Sequence, residues 1–355
     1  MESDIYRQLQ QHLDTMPVGY PATASGVELR LLKFLFTPEQ ARIALKLGHK
    51  YQTLDQICEA AKDLRMPRSE LEKKLEEMVD RGNIVGKEQN GVRMYATLPF
   101  VVGMLEFQHT RATGAFREDT GIYFQEGFAA KMLGSKIPQT RIIPIKKSIT
   151  AGHRIGTYDE LRDIIEKAEG RIRVGKCACR TAMHEAGKPC KITKRDETCM
   201  AFREYADVFG RTGWGRAISK EEALEIAARN EEDGLVLQPG NQQETQFMCS
   251  CCSDCCGIFR AIKSMPRPAE FVAGNFYAQP DPDLCLGCGT CVERCQMEAI
   301  ILQDEAAKVD LGRCIGCGLC VPTCGSESIH LVRKKHETVP PKSLEEMFEV
   351  LIAQK

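Results

Sequence analysis

This chain of 355 residues lacks the features that would send it into or across a membrane. No stretch approaches the roughly 20 consecutive apolar residues that a transmembrane helix requires. The segment MESDIYRQLQQHLDTM has no apolar core of the kind found in a signal peptide. Hydrophobic residues make up 43% of the chain, which is enough for buried cores. We therefore expect a soluble cytoplasmic protein of two or three domains.

Cysteine, by contrast, is abundant, with 18 residues. Without an export signal, such a number indicates metal binding in a reducing compartment and not disulfides. Two copies of the pattern C-x2-C-x2-C-x3-C start 29 residues apart, and CLGCGTCVERC and CIGCGLCVPTC match at seven of eleven positions. The chain therefore contains an internal duplication. Its cysteines are Cys285, Cys288, Cys291, Cys295, Cys314, Cys317, Cys320 and Cys324.

Residues 276–333 resemble the bacterial two-cluster 4Fe-4S ferredoxins through this duplicated motif. The resemblance implies that Cys285, Cys288, Cys291 and Cys324 hold one cluster, and that Cys314, Cys317, Cys320 and Cys295 hold the second. It also implies short strands through Ile300 and Leu302, and through Ile329 and Leu331. One departure is plain: the family usually has proline after the fourth cysteine, where this chain has Gln296 and Gly325. Zinc or disulfide frameworks seldom need eight cysteines in this spacing.

Nine further cysteines lie in the central region, in KCACRTAMHEAGKPCKITKRDETCM and FMCSCCSDCCGIF. Structural cysteines do not cluster in this way, so we predict at least one further iron-sulfur cluster here, in preference to zinc or redox-active thiols. The second group exceeds one four-coordinate site, so some members are spare or share a site with the first group. The layout is similar to cysteine-rich ferredoxin-like proteins of anaerobes. The nine are Cys177, Cys179, Cys190, Cys199, Cys249, Cys251, Cys252, Cys255 and Cys256.

The N-terminal region has helical patterns followed by two strand-like runs that Asn90 and Gly91 join, a strong hairpin signal. This arrangement resembles a winged helix-turn-helix. Residues 69–81, where a recognition helix would lie, hold five acidic residues against three basic ones and would repel phosphates. We therefore expect this domain to dock protein and not DNA.

Charge is unevenly distributed along the chain. Residues 131–195 carry a net charge of +10, whereas residues 280–332 carry −5. The basic segment is either a solvated surface or a docking face for an acidic domain, in this chain or in a partner. After Pro340 and Pro341, SLEEMFEVLIAQ predicts an amphipathic helix that either docks in a partner's groove or covers its own core.

A near match to a phosphate-binding loop and three histidines do not predict functional sites. GRIRVGKC approaches a phosphate-binding loop, but RIRV is strand-like, no helix start is evident after it, and Cys177 belongs to a cysteine group, so no nucleotide is expected. Alternating strand-like runs (TRIIPI, RIRVG, GLVLQ) and helical runs predict a small sheet packed by helices in this region. We interpret His109, His153 and His184 as surface residues or neighbours of ligands.

The sequence thus predicts an α+β, multidomain iron-sulfur electron-transfer protein with redox-protein donors and acceptors, a component of an anaerobic oxidoreductase. Two alternatives are a redox-sensing winged-helix transcription regulator and an oxidoreductase whose central cluster binds substrate. The sequence identifies no residue with a purely catalytic role. The expected segments are an N-terminal helical extension (1–25), a winged-helix-like domain (26–100), a central cysteine-rich domain (101–275), a ferredoxin-like domain (276–333) and a tail with a short helix (334–355).

Overall fold

The computed structural model describes residues 2–135, 137–149, 159–168 and 170–355. The chain divides into two compact units. The first comprises Met1–Lys136, Glu204–Arg216 and Glu345–Lys355, and the second comprises Ile137–Arg203 and Ala217–Leu344. None of the helices in the described ranges is long and apolar enough to cross a bilayer.

Helices and strands alternate through most of the chain, so the fold mixes α and β structure. The α-helices are α1 (Glu2–Thr15), α2 (Val27–Leu35), α3 (Pro38–Ala44), α4 (Leu54–Ala60), α5 (Arg68–Asp80), α6 (Gly114–Tyr123), α7 (Ala129–Leu133), α8 (Leu161–Glu166), α9 (Ala178–Glu185), α10 (Arg203–Arg211), α11 (Lys220–Asp233), α12 (Gly257–Lys263), α13 (Thr290–Arg294) and α14 (Leu344–Ala353). The strands are β1 (Gln52–Thr53), β2 (Ile84–Gln89), β3 (Val92–Thr97), β4 (Ile172–Lys176), β5 (Glu197–Phe202), β6 (Gly215–Ala217), β7 (Val236–Pro239), β8 (Phe247–Cys251), β9 (Phe276–Pro280), β10 (Ile300–Gln303), β11 (Ala306–Val309) and β12 (Ile329–Arg333).

In the first unit, local sequence signals fix where several elements begin. Capping boxes formed by Thr37 with Gln40 and by Thr53 with Gln56 start α3 and α4. Asn90 and Gly91 both adopt positive φ, 53° and 73°, and connect β2 to β3 as the hairpin signal predicts. Strand β1 pairs with the other edge of β3.

The tail helix α14 covers the core of the first unit. It buries Met347, Phe348 and Leu351, and Phe348 lies edge-on to the His49 ring at 6.3 Å. Ion pairs flank this contact, from Lys50 to Glu349 at 2.7 Å and from Lys87 to Glu345 at 3.0 Å. The amphipathic pattern leaves two roles open, docking in a partner's groove or covering the protein's own core. The structure supports the second role.

The second unit is built on an antiparallel sheet in which β4, β5, β8 and β7 are neighbours in that order. Strands β4 and β7 and helix α11 follow the sequence prediction, with Ser219 accepting a hydrogen bond from the Glu222 N–H at 3.1 Å. The prediction of a strand in TRIIPI is wrong, because that run makes only isolated bridges at Thr140 and Arg141. The sequence also missed β5 and β8, both of which carry cysteines.

Two small antiparallel pairs follow in residues 276–333. Strand β9 pairs with β12, and β10 pairs with β11, so Ile300, Leu302, Ile329 and Leu331 lie in strands as the resemblance implies. Gly316 has a φ of 72°, and a Cβ at this position would overlap the carbonyl oxygen of Phe276. Only glycine therefore permits the second cysteine loop to approach β9 so closely.

Candidate metal centres

The eight cysteines of the duplicated motif form two sets that each combine both repeats. The Cys324 thiol acts electrostatically on Cys288 and Cys291 of the first repeat. In the second set Cys295 acts in the same way on Cys314, Cys317 and Cys320. The fourth cysteine of each repeat thus lies near cysteines of the other repeat.

The second of these sets surrounds a cavity that suits a cluster. Four cysteines line it, together with Ala278, Ala299 and Ile300. Backbone N–H groups point at the sulfurs: Ala278 donates to Cys314 Sγ at 3.4 Å and Ala299 donates to Cys295 Sγ at 3.2 Å. Amide hydrogen bonds to ligand sulfurs stabilise the reduced form of a cluster. The lining cysteines are Cys295, Cys314, Cys317 and Cys320.

The first set has the same kind of support and a lowered thiol pKa. Ala307 N–H donates to Cys285 Sγ at 3.3 Å. Burial acts to raise the pKa of Cys324, but hydrogen bonds with Ser328 and Ser326 outweigh it and lower that pKa to about 7. In the second set burial dominates instead and raises the pKa of Cys317 to about 12.

Six of the nine central cysteines form a closed ring of thiols. Each member interacts with two neighbouring thiols, and all six side chains are buried or half-buried. The cysteine group at residues 177–199 contributes three members, and the group at residues 249–256 contributes the other three. In ring order they are Cys177, Cys179, Cys256, Cys251, Cys249 and Cys199.

Sheet geometry explains how distant cysteines reach one ring. Cys249 and Cys251 are two residues apart in β8, so their side chains leave the same face of the sheet. Cys199 lies in β5, which is the neighbour of β8. Cys177 follows β4 and precedes α9, and Cys256 precedes α12, so these two complete the ring from the ends of elements.

Thiols with lowered and raised pKa values alternate around the ring. Hydrogen bonds from Cys199 and Cys251 lower the pKa of Cys249 to about 6, against the opposing effect of burial. Hydrogen bonds also lower the pKa values of Cys177 and Cys256. The pKa values of the intervening thiols, Cys179, Cys199 and Cys251, are raised by their contacts with these neighbours and by burial. Ionisation of one thiol in the ring therefore depends on its neighbours.

The remaining three central cysteines form a separate group with a carboxylate. The Sγ atoms of Cys190, Cys252 and Cys255 and one oxygen of Asp254 all lie within 4.8 Å of one another. Adjacent cysteines thus separate between the two sites: Cys251 joins the ring and Cys252 the smaller group, and the same division holds for Cys256 and Cys255. Each of the nine central cysteines lies in one of these two groups, and both sequence groups contribute to the ring.

A buried cation lies between the two groups. Arg180 is only 4% exposed and hydrogen-bonds Cys252 Sγ at 3.9 Å, the Ser250 carbonyl at 3.4 Å and the Thr198 hydroxyl. Burial acts to lower its pKa, but electrostatic interactions with Cys177 and with the other nearby cysteines reverse this and raise it. Within the described ranges Arg180 has no carboxylate in ion-pair contact, so sulfur supplies its counter-charge.

Sequence reasoning missed Arg180, Asp254 and Ser328. Arg180 lies in the run CACR and Asp254 in the run CCSDCC. Their position among cysteines could have indicated that they lie beside a metal site. The expectation that no helix starts after the strand in GRIRVGKC was wrong, because α9 begins at Ala178. Of the histidines, His184 is exposed on α9 and His109 stacks on Trp214 at 5.4 Å, while His153 lies outside the described residues.

Comparison with known families identifies one domain in this chain. Residues 278–325 match the model of a 4Fe-4S dicluster domain, which confirms a ferredoxin-like iron-sulfur module at the duplicated motif. No curated protein and no solved structure matched the chain. The two cysteine groups in the central region therefore stand on their own geometry.

Proposed function

We propose that this protein is an electron carrier with two 4Fe-4S clusters in residues 278–325 and a further iron-sulfur cluster in the ring of six thiols. Cys285, Cys288, Cys291 and Cys324 would hold one ferredoxin-type cluster, and Cys314, Cys317, Cys320 and Cys295 the other. When bound, each cluster supplies a one-electron couple.

The observation that carries this proposal is a polar bridge from the ferredoxin module to the central cysteines. Gln296 directly follows Cys295, and its side-chain oxygen accepts a hydrogen bond from the Ser253 N–H at 2.9 Å. Ser253 directly follows Cys252, which is adjacent to Cys251 in the ring. Ligands of the two sites are therefore joined by a few covalent bonds and one hydrogen bond.

The Gln296 amide also donates to the Gly234 carbonyl at 3.0 Å, so both ends of this side chain are bound. Arg294 strengthens the same junction, because its guanidinium donates to the carbonyls of Glu231 and Glu232, each at 2.8 Å. A fixed junction keeps the separation between the two sites constant, which one-electron exchange requires.

Arg180 supports an anionic group in the ring. A buried guanidinium without a carboxylate is costly unless another negative charge lies beside it. A cluster held by several thiolates supplies that charge. A buried cation next to such a cluster also stabilises the reduced form, in which the cluster carries one more negative charge.

Part of the basic segment, around Ile145 and Lys147, contacts the second unit through its backbone as well as its charges. Ile145 N–H donates to the Cys317 carbonyl at 3.1 Å, so the segment does lie against the second ligand loop. One of its lysines, Lys147, pairs instead with Glu232 of α11 at 3.2 Å. This arrangement supports a covering role for the segment within the second unit.

For the first unit we infer a winged-helix-like fold that binds a protein partner. Acidic residues of α5 already have partners: Glu76 binds Arg93 and Arg211 through its side chain, and Asp80 binds Arg211 at 3.0 Å. A helix with this charge offers little to a phosphate backbone. Donor and acceptor proteins for the electrons are the partners that this function needs.

Iron and acid-labile sulfide counts on the anaerobically purified full chain test the proposal. Two cubanes account for about eight irons per chain, so we expect a count clearly above eight. Replacing Cys249 with serine should remove the excess iron and leave the ferredoxin signals in the paramagnetic resonance spectrum. Replacing Cys58, a half-buried cysteine of α4, is the matched control. A wild-type count of eight would refute the third cluster.

A further inference from the structure

The group formed by Cys190, Cys252, Cys255 and Asp254 has the dimensions of a site for a single metal ion. Cys190 Sγ lies 3.7 Å from Cys252 Sγ and 3.7 Å from one Asp254 oxygen. In a tetrahedral zinc site with Zn–S bonds of about 2.3 Å, neighbouring sulfurs are about 3.8 Å apart. The observed separations match the edge of such a tetrahedron.

The ferredoxin-type cysteines are arranged differently. In a cubane each thiolate binds a different iron, so the four sulfurs must lie further apart than the ligands of one ion. None of the eight cysteines in residues 285–324 belongs to a set of three ligand atoms within 4.8 Å, although all eight are described. The structure thus contains both the wide ligand spacing of a cubane and the narrow ligand spacing of a single ion. The group of Cys190, Cys252, Cys255 and Asp254 has the narrow spacing.

The surroundings hold the four ligands in place. The second oxygen of Asp254 accepts a hydrogen bond from the Lys191 N–H at 2.7 Å, which orients the first oxygen toward Cys190. Cys252 and Cys255 pack against the buried side chain of Leu235, and Met183 covers the same cluster. Orientation of a ligating carboxylate by a hydrogen bond and an apolar shell are both usual around metal sites.

Charge also favours a divalent cation at this position. Three thiolates and one carboxylate carry four negative charges, and a divalent ion leaves two. Arg180, 3.9 Å from Cys252 Sγ, offsets part of this remainder. Four protein ligands leave no open position, which is typical of structural zinc and not of catalytic zinc.

We propose that Cys190, Cys252, Cys255 and Asp254 bind one structural zinc ion. This site goes beyond the electron-carrier function, because zinc has no redox chemistry. The ion links the loop around Cys190 to the turn between Cys252 and Cys255. That turn carries Ser253, whose N–H binds Gln296, so the zinc fixes one side of the junction with the ferredoxin module.

Zinc and iron counts on the anaerobically purified full chain provide the first test. We expect about one zinc per chain in the wild type. The variants Cys190→Ala and Asp254→Ala should lose most of that zinc and keep their iron and sulfide. Asp254→Cys, which supplies a fourth sulfur, should retain zinc, and Cys58→Ala is the control outside the site. Loss of iron and sulfide from Cys190→Ala, with its zinc unchanged, would overturn the proposal.

X-ray absorption at the zinc edge of the wild type does not depend on whether any variant folds. We expect three sulfurs and one oxygen around zinc, and four sulfurs in Asp254→Cys. Absence of zinc after incubation with a zinc salt, or four sulfurs in the wild type, would contradict the site. Iron counts on the same samples separate the two proposals, since a chain with one zinc and only eight irons refutes the ring cluster alone.

Discussion

The side-chain oxygen of Gln296 accepts a hydrogen bond from the Ser253 N–H at 2.9 Å. Gln296 is 7% exposed and takes the position where related ferredoxins usually have proline. Proline has no side-chain amide and could make neither this hydrogen bond nor the one to Gly234. The departure from the family pattern is therefore the residue that joins the ferredoxin module to the central cysteines.

Replacing Gln296 with methionine should weaken this junction. The variant leaves the Ser253 N–H without its partner, so we expect a loss of about 1–3 kcal/mol in the free energy of unfolding. Iron content should not change, because no ligand is lost. Denaturant unfolding followed by circular dichroism and cluster absorbance measures the effect. Gln279→Met, at an exposed position of β9, is the control, and equal stability of the two variants would contradict the role of Gln296.

Removing the charge of Arg180 should make the central cluster that we propose harder to reduce. In Arg180→Met the buried cation beside the thiolates is absent, so the reduction potential should fall by on the order of 60 mV or more, equivalent to about 1.4 kcal/mol for one electron. Redox titration monitored by paramagnetic resonance measures this shift.

Arg180→Lys keeps the charge and should restore part of that potential. Arg229→Met, on the exposed side of α11, should leave all potentials unchanged. If Arg180→Met and Arg229→Met have the same central potential, Arg180 does not act on the cluster.

Ser328 should tune the potential of the cluster that we propose Cys324 binds. Its hydroxyl lies 3.2 Å from Cys324 Sγ, whereas the Ser326 hydroxyl lies at 3.6 Å. A hydrogen bond of about 1 kcal/mol corresponds to about 40 mV for one electron, so Ser328→Ala should lower this potential by that order. Ser326→Ala should have a smaller effect. The idea fails if both variants titrate like the wild type, or if the order of their effects is reversed.

Glu76 should stabilise the first unit above acidic pH. Burial acts to raise its pKa, but hydrogen bonds with Arg93, Tyr95 and Arg211 lower it from 4.5 to about 2. A carboxylate with a lowered pKa contributes stability above its unfolded value, and this contribution is lost as the pH falls through its folded value. The loss should therefore occur between about pH 4.5 and pH 2.

The single tryptophan, Trp214, lies in the first unit and reports its unfolding by fluorescence. Glu76→Gln should lower stability at neutral pH and flatten the acid side of the curve. Glu72→Gln, on the exposed face of α5, should preserve the wild-type slope. An unchanged acid slope in Glu76→Gln would show that this network does not couple to folding.

Local signals in the sequence predicted much of the fold. The Asn90–Gly91 hairpin, the start of α11 at Ser219 and the strands through Ile300 and Ile329 all depend on residues close in sequence. Strands β5 and β8 escaped prediction, because their cysteines and methionines give no alternating pattern and their conformation depends on pairing with each other.

The sequence by itself determined that this protein contains an iron-sulfur module, because the duplicated spacing of its C-terminal cysteines dictates that chemistry. Only the tertiary structure decided how the nine central cysteines divide. Side chains two residues apart in β8 share a face, whereas adjacent ones diverge, and this sends Cys251 to the ring and Cys252 to the smaller group. Pairing between distant strands also brings Cys199 beside Cys249, and no spacing along the chain encodes that contact.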